Sequence, residues 1–145
     1  MRCNFAGPVQ TGNFAFLANL YIPTGTQVVS MAFDAVTPVP DLYVGFLHLD
    51  FMPEGDVRID DGSVRFGRFP RDQIFALAVN LSITATSAAA DITLYGDGAS
   101  GAHQMNLRPE TIYYACRLHA VSFWMAYAWQ GTFFVDNAIV TRAAP

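Results

Sequence analysis

His119 to Arg142, HAVSFWMAYAWQGTFFVDNAIVTR, is the stretch whose reading decides the fold. At its odd positions His119, Val121, Phe123, Met125, Tyr127 and Trp129 form a broad, mostly apolar row. The even positions offer only Ala120, Ser122, Ala126 and Ala128 around a single Trp124. A helix would distribute the large residues all round its axis, whereas alternation with period two makes a strand with two unequal faces. Gln130-Gly131 places a glycine where the chain must reverse, and Thr132 to Thr141 are rich in β-branched and aromatic residues. The pattern predicts two long strands joined by a tight connection.

Immediately upstream, Pro109 suits the first position of a helix and Glu110 its first turn, so one short helix is expected near 109–118. Everything else reads as strand. Asn13 to Ile22 alternates through Phe14, Phe16, Ala18 and Leu20; Thr26 to Val36 alternates through Val29, Met31 and Phe33; Asp41 to Phe51 is apolar on both sides. Pro38-Val39-Pro40 is a loop, because each proline removes a ladder donor. Val57 and Ile59, then Asp61-Gly62, then Val64 and Phe66 give a hairpin signal of type I′. Gln73 to Thr86 carries Phe75, Leu77, Val79, Leu81 and Ile83 on one side and small or polar residues on the other; Ala90 to Tyr95 pairs back on it, and a weaker strand runs to Leu107. Nine or ten strands with regular turn signals predict a single all-β domain over 1–145, a two-sheet antiparallel β-sandwich or jelly roll.

Composition narrows the partners. Of the 145 residues 52% are apolar and 14% charged, against about 25% charged in typical soluble domains. So little charge predicts that some faces are covered by other copies of the chain or by other subunits of an assembly. There is no lysine, the eight cations are all Arg, and the formal net charge is −4. Nucleic-acid binding requires clustered cations, and the one cluster, Arg58, Arg65, Arg68 and Arg71, is diluted by Asp56, Asp60, Asp61 and Asp72; it reads as a solvated hairpin. No apolar run is long enough to span a bilayer and Met1-Arg2-Cys3-Asn4 is not followed by a signal-type apolar core, so neither membrane insertion nor a visible export signal is expected. Cys3 and Cys116 are the only cysteines; a free pair and one disulfide both remain open.

The order of these features resembles the concanavalin A-like lectin and glucanase superfamily, including its laminin-G-like members. The likeness rests on an early long strand pair followed by the Val57 to Phe66 hairpin, on FALAVNLSITATSAAADITLYGDG with its terminal Gly-turn, and on the closing FFVDNAIVTR with an acidic residue before the final apolar pair. The resemblance implies a curved sheet whose concave face often binds sugars, and sometimes a calcium ion near the closing strand. The superfamily's glucanases carry Glu-x-Asp-x-x-Glu on one strand. That arrangement is missing: the only glutamates are Glu54 and Glu110, and Asp50, Glu54 and Asp56 are interrupted by Pro53 and Gly55.

Other chemistries find little support. Gly96-x-Gly98-x-x-Gly101 spells a dinucleotide fingerprint, but no apolar helix follows it, and it reads as a glycine-rich loop. His48, His103 and His119 lack paired spacing, and His48 reads as a sheet-face residue. Asp136 and Asp97 could contribute oxygens to calcium; outward-facing polar residues are the alternative. Trp124, rising from a row of Ala and Ser, could pack under a loop, plug a neighbouring subunit or stack on a sugar, with Asn80 or Tyr43 as partners on an open face and Trp129 as a further candidate. Two functional expectations follow: a non-enzymatic structural module that works by assembling, such as a decoration, capsid or fibre component at a virion or extracellular surface, or a carbohydrate-binding module on polysaccharide.

Overall fold

The computed structural model describes residues 1–9, 11–38, 43–59, 63–84, 87–107, 117–126 and 130–142. Among the described residues eleven strands follow one another: β1 (Arg2–Val9), β2 (Gly12–Tyr21), β3 (Val29–Val36), β4 (Tyr43–Phe51), β5 (Asp56–Ile59), β6 (Val64–Arg68), β7 (Ile74–Ile83), β8 (Ala88–Tyr95), β9 (Ala102–Leu107), β10 (Arg117–Met125) and β11 (Phe134–Arg142). They form a six-stranded sheet in the order β1-β10-β3-β4-β5-β6 and a five-stranded sheet in the order β11-β2-β7-β8-β9, each pair antiparallel. The two-sheet sandwich is the architecture expected from the alternation. Among the described residues there is no helix; Arg117 and Leu118 of the expected helix belong to β10, and the rest of 109–118 lies outside the described residues.

Alternation sends one row of each strand into the space between the sheets. Phe14, Phe16, Ala18 and Leu20 of β2 and Phe75, Leu77, Val79 and Leu81 of β7 meet Val29, Met31 and Phe33 of β3, Leu47, Leu49 and Phe51 of β4, and Val121 and Phe123 of β10. Rings bridge the layers at two places. Phe16 stands edge-on to Phe33 with centroids 5.7 Å apart and lies 6.2 Å from Phe123. At the other end Phe51 is 5.9 Å from Phe75, and Phe69, in the loop after β6, packs on both at 5.5 and 5.2 Å.

Three differences from the sequence reading have identifiable causes. β1 precedes the strand expected to be first; its Gly7 and Pro8 hide the alternation, and its register against β10 shifts between Asn4 and Val9. The apolar double face of β4 arises from a bulge, because Phe33 pairs with Leu47 and Asp34 with Gly45, leaving Phe46 extra and reversing the parity. Most consequentially, β10 and β11 are not a hairpin. β10 pairs with β1 and β3, β11 pairs with β2, and the segment between them crosses from one sheet to the other. Ahead of β11, Gln130 and Thr132 are held on the 23–28 loop by Gln27 N–H donating to Gln130 O (3.1 Å) and by Thr26 Oγ1 donating to Thr132 O (2.8 Å). Gly131, at φ 121°, approaches so closely that a Cβ would lie 2.7 Å from Thr26 Cα. β10 buries one row in the core and β11 only leans on it through the partly buried Val135 and Ala138; alternation records a face and is silent on which strand lies alongside.

The arginine cluster also differs from a plain solvated hairpin. Arg58 pairs with Glu54 (2.7 Å) and Arg65 with Asp56 (2.8 Å), but Arg71 turns inward and donates to the carbonyls of Pro23, Thr26 and Met52 at 2.9, 3.1 and 2.8 Å. It therefore ties the β2–β3 and β4–β5 connections together, and partial burial lowers its pKa from the ordinary arginine value. Next to it Asp72, at φ 57°, accepts from Thr24 N–H (3.0 Å) and Thr24 Oγ1 (2.6 Å).

Phe16→Ala should cost about 3–5 kcal/mol, as expected for emptying a core phenylalanine site; urea unfolding would measure it, and a loss under 1 kcal/mol would contradict the bridging role. The Thr24 hydrogen bonds hold the Asp72 pKa below the ordinary carboxylate value. The group's contribution is therefore complete above its unfolded pKa of about 3.9 and lost as pH falls through the lower folded value. Thr24→Val should flatten the fall in thermal midpoint through the acid range below pH 4 and leave the neutral-pH slope unchanged.

Candidate functional site

Side chains on the outer face of the six-stranded sheet are polar and densely connected. Bulges set their positions: in β10 the register shifts between Leu118 and Ala120, so Leu118 joins Val121 and Phe123 in the core while Ser122 and Trp124 point outward. Trp124 pairs with Ser30, which pairs with Asp50, then Arg58, then Arg65, giving one continuous row across five strands, about 19 Å long at ordinary strand spacing. The neighbouring row is Arg2, Ser122, Ala32 and His48.

Because β3 offers only Ser30 and Ala32 between them, Trp124 and His48 reach across that strand and stack, with ring centroids 5.4 Å apart and planes 20° from parallel. Both small residues are consequently buried although they lie on an outer face. Trp124 itself remains 39% exposed. His48 Nε2 lies 3.2 Å from Asp50 Oδ1, at an ion-pair distance but off hydrogen-bond alignment, and Ser30 Oγ donates to the same oxygen at 2.6 Å. On the other flank Ser122 Oγ donates to Asp34 Oδ2, with Arg2 Nε at 3.8 Å. An aromatic platform thus stands between two carboxylates whose remaining lone pairs can accept from hydroxyl groups, with Arg2 and Arg58 as donors at the margins.

Among the described residues, this face does not hold two carboxylates at bond-cleaving separation around the aromatic pair. Asp34 and Asp50 are one strand and four residues apart, about 14 Å, against the roughly 5–9.5 Å of glycoside hydrolysis. Asp56 is nearer to Asp50, but it is buried and occupied by Arg65 and Arg68, at 2.8 and 3.8 Å.

Of the residues singled out in the sequence, Trp124 and His48 come together, His48 as a sheet-face residue. Asn80 does not join them: it points outward from β7 in the five-stranded sheet, on the opposite side of the sandwich. There it lines a depression of about 360 Å³ with Asn13, Ala15, Ser82, Asp91 and Thr141. Tyr43 sits in β4 at the register position opposite Val36, while its side chain, like Trp129, Cys116 and the Cys3 thiol, lies outside the described residues. The expected calcium pair is not assembled. Asp136 is on β11, where its Oδ1 accepts from Asn137 N–H at 2.7 Å, and Asp97 follows β8, three strands away. Among the described residues no cluster of three or more His, Cys, Asp or Glu could hold a metal. Sequence reasoning missed Asp34, Ser30, Ser122, Asp50 and Arg2. The available signal was a charged residue interrupting an apolar strand, as Asp34 does in MAFDAV.

No protein-family model matches this sequence, and no curated protein is similar to it in sequence. Solved structures are similar in fold. The galectin LEC-6 of Caenorhabditis elegans superposes with a TM-score of 0.56 at 16% identity, covering 96% of this chain and 89% of that one. A tetrameric galectin from the ball sponge Cinachyrella sp. gives 0.53 at 13% identity over 99% of both. The catalytic domain of a family 131 glycoside hydrolase from Coprinopsis cinerea gives 0.52 at 10% identity, over 96% of this chain and 60% of that one. The chain has the concanavalin A-like lectin and glucanase jelly-roll fold; at these identities the likeness concerns the fold alone.

Proposed function

We propose that this lectin-like β-sandwich is a non-catalytic carbohydrate-binding module that holds its ligand on the outer face of the six-stranded sheet. One observation carries the reading: Trp124, stacked on His48 and 39% exposed, lies between hydrogen-bonded carboxylates at Asp34 and Asp50. A sugar ring needs both halves of this arrangement. Its C–H face is apolar enough to lie on an indole, and its hydroxyls each need a partner once water is displaced. The row from Trp124 to Arg65 is long enough for a short oligosaccharide rather than a single ring.

A second reading, a component of a larger assembly such as a virion or fibre surface, is supported by a separate feature, the nearly uncharged five-stranded face. The two readings are compatible, because they use opposite sides of the sandwich. A glycan array followed by calorimetry tests the first. Trp124→Ala should weaken binding of the best glycan at least tenfold, about 1.4 kcal/mol, and Asp50→Ala should weaken it comparably, with both variants folded and cooperative in unfolding. Binding unchanged in both variants would remove the proposed site.

A further inference from the structure

The outer face of the five-stranded sheet contrasts with the polar one. Phe134, Tyr21 and Ile74 lie side by side in register on β11, β2 and β7, with the Tyr21 and Phe134 rings 5.9 Å apart. Phe134 is 60% and Ile74 68% exposed. Tyr95 flanks them, and beyond the intervening row of Asp136, Asn19 and Ala76 come Ile139 and Leu17, in register and both exposed. Among the described residues of this face the one cation is Arg142, at the rim, where it donates to Thr11 O and forms part of the wall of the depression described next.

The same three strands are hollow at their other end. There Thr141 of β11, Asn13 and Ala15 of β2, and Asn80 and Ser82 of β7 line the depression of about 360 Å³. Bulk and hollow thus sit at opposite ends of one face, on the same strands, with the Ile139, Leu17 and Ala78 row midway between.

From this we infer that the five-stranded face is a self-complementary docking surface for a second copy of the chain, in which the Phe134, Tyr21 and Ile74 ridge of each copy fills the Ala15, Asn80 and Ser82 hollow of the other. A two-fold axis lying in the interface, across the strands and through the middle row, exchanges ridge and hollow while keeping each strand opposite its own copy, as an isologous contact requires. The hollow is large enough for an aromatic side chain. Among the described residues the charges at this face are Asp136 and, in the wall of the hollow, Asp91 and Arg142, which are of opposite sign, so two copies meet with little like-charge cost. Five strands of up to ten residues present roughly 700 Å² at ordinary spacing, near the about 800 Å² that each partner contributes to a standard stable interface. Back-to-back docking leaves both Trp124 faces outward, pointing in opposite directions.

Sedimentation equilibrium of the full chain, at about 100 µM, well above the micromolar dissociation constants of modest interfaces of this size, tests the inference. The expected mass is twice 15.9 kDa. Ile74→Arg, which breaks the ridge, and Ser82→Tyr, which fills the hollow, should each return 15.9 kDa; both positions are exposed, so folding should be retained. Mixing the two variants should restore partial association, because one intact ridge then meets one intact hollow. A monomeric wild-type chain, or a dimer that either variant leaves unchanged, overturns the inference.

Discussion

Phe16 standing edge-on to Phe33, with Phe123 beside them, is where the two sheets are held together. The contact joins strands that never pair: β2 belongs to one sheet, β3 and β10 to the other. Its counterpart, Phe51, Phe69 and Phe75, closes the opposite end. Once inward rows are committed to this packing, alternation sends every second residue of each strand outward. The chemistry of the two outer faces can then diverge without disturbing the core.

That divergence is the main feature of the molecule. One face collects Arg2, Asp34, His48, Asp50, Arg58 and Trp124, with small β3 residues letting the two rings meet above them. The other collects Leu17, Tyr21, Ile74, Phe134 and Ile139 with scarcely any charge. A low overall proportion of charged residues is thus unevenly distributed. A polar face suits a ligand rich in hydroxyl groups, and an uncharged one suits a protein surface.

The fold was largely legible because β7 and β8 alternate without interruption and because Phe75, Leu77, Val79 and Leu81 are all buried as their spacing implies. Trp124 was legible for the same reason, being the one large residue in a row of small ones. What escaped detection was non-local. Period two fixes the side a residue faces but not its neighbouring strand, so β10 and β11 read as a hairpin although they lie in different sheets. Bulges at Phe46 and between Leu118 and Ala120 change parity without a marker in the sequence. The separation of Asn80 from Trp124 follows from sheet membership alone, and the meeting of Trp124 with His48 depends on the strand order β10-β3-β4.

Whether the two outer faces have different tasks is tested most directly by amide and indole chemical-shift mapping during titration with an oligosaccharide that binds. The prediction is that the Trp124 indole N–H and backbone amides around Ser30, Asp34, His48, Asp50 and Ser122 shift together with one affinity, while amides of β7, β8 and β9 stay in place. Shifts centred on β7 and β8, with the Trp124 indole unmoved, would contradict it.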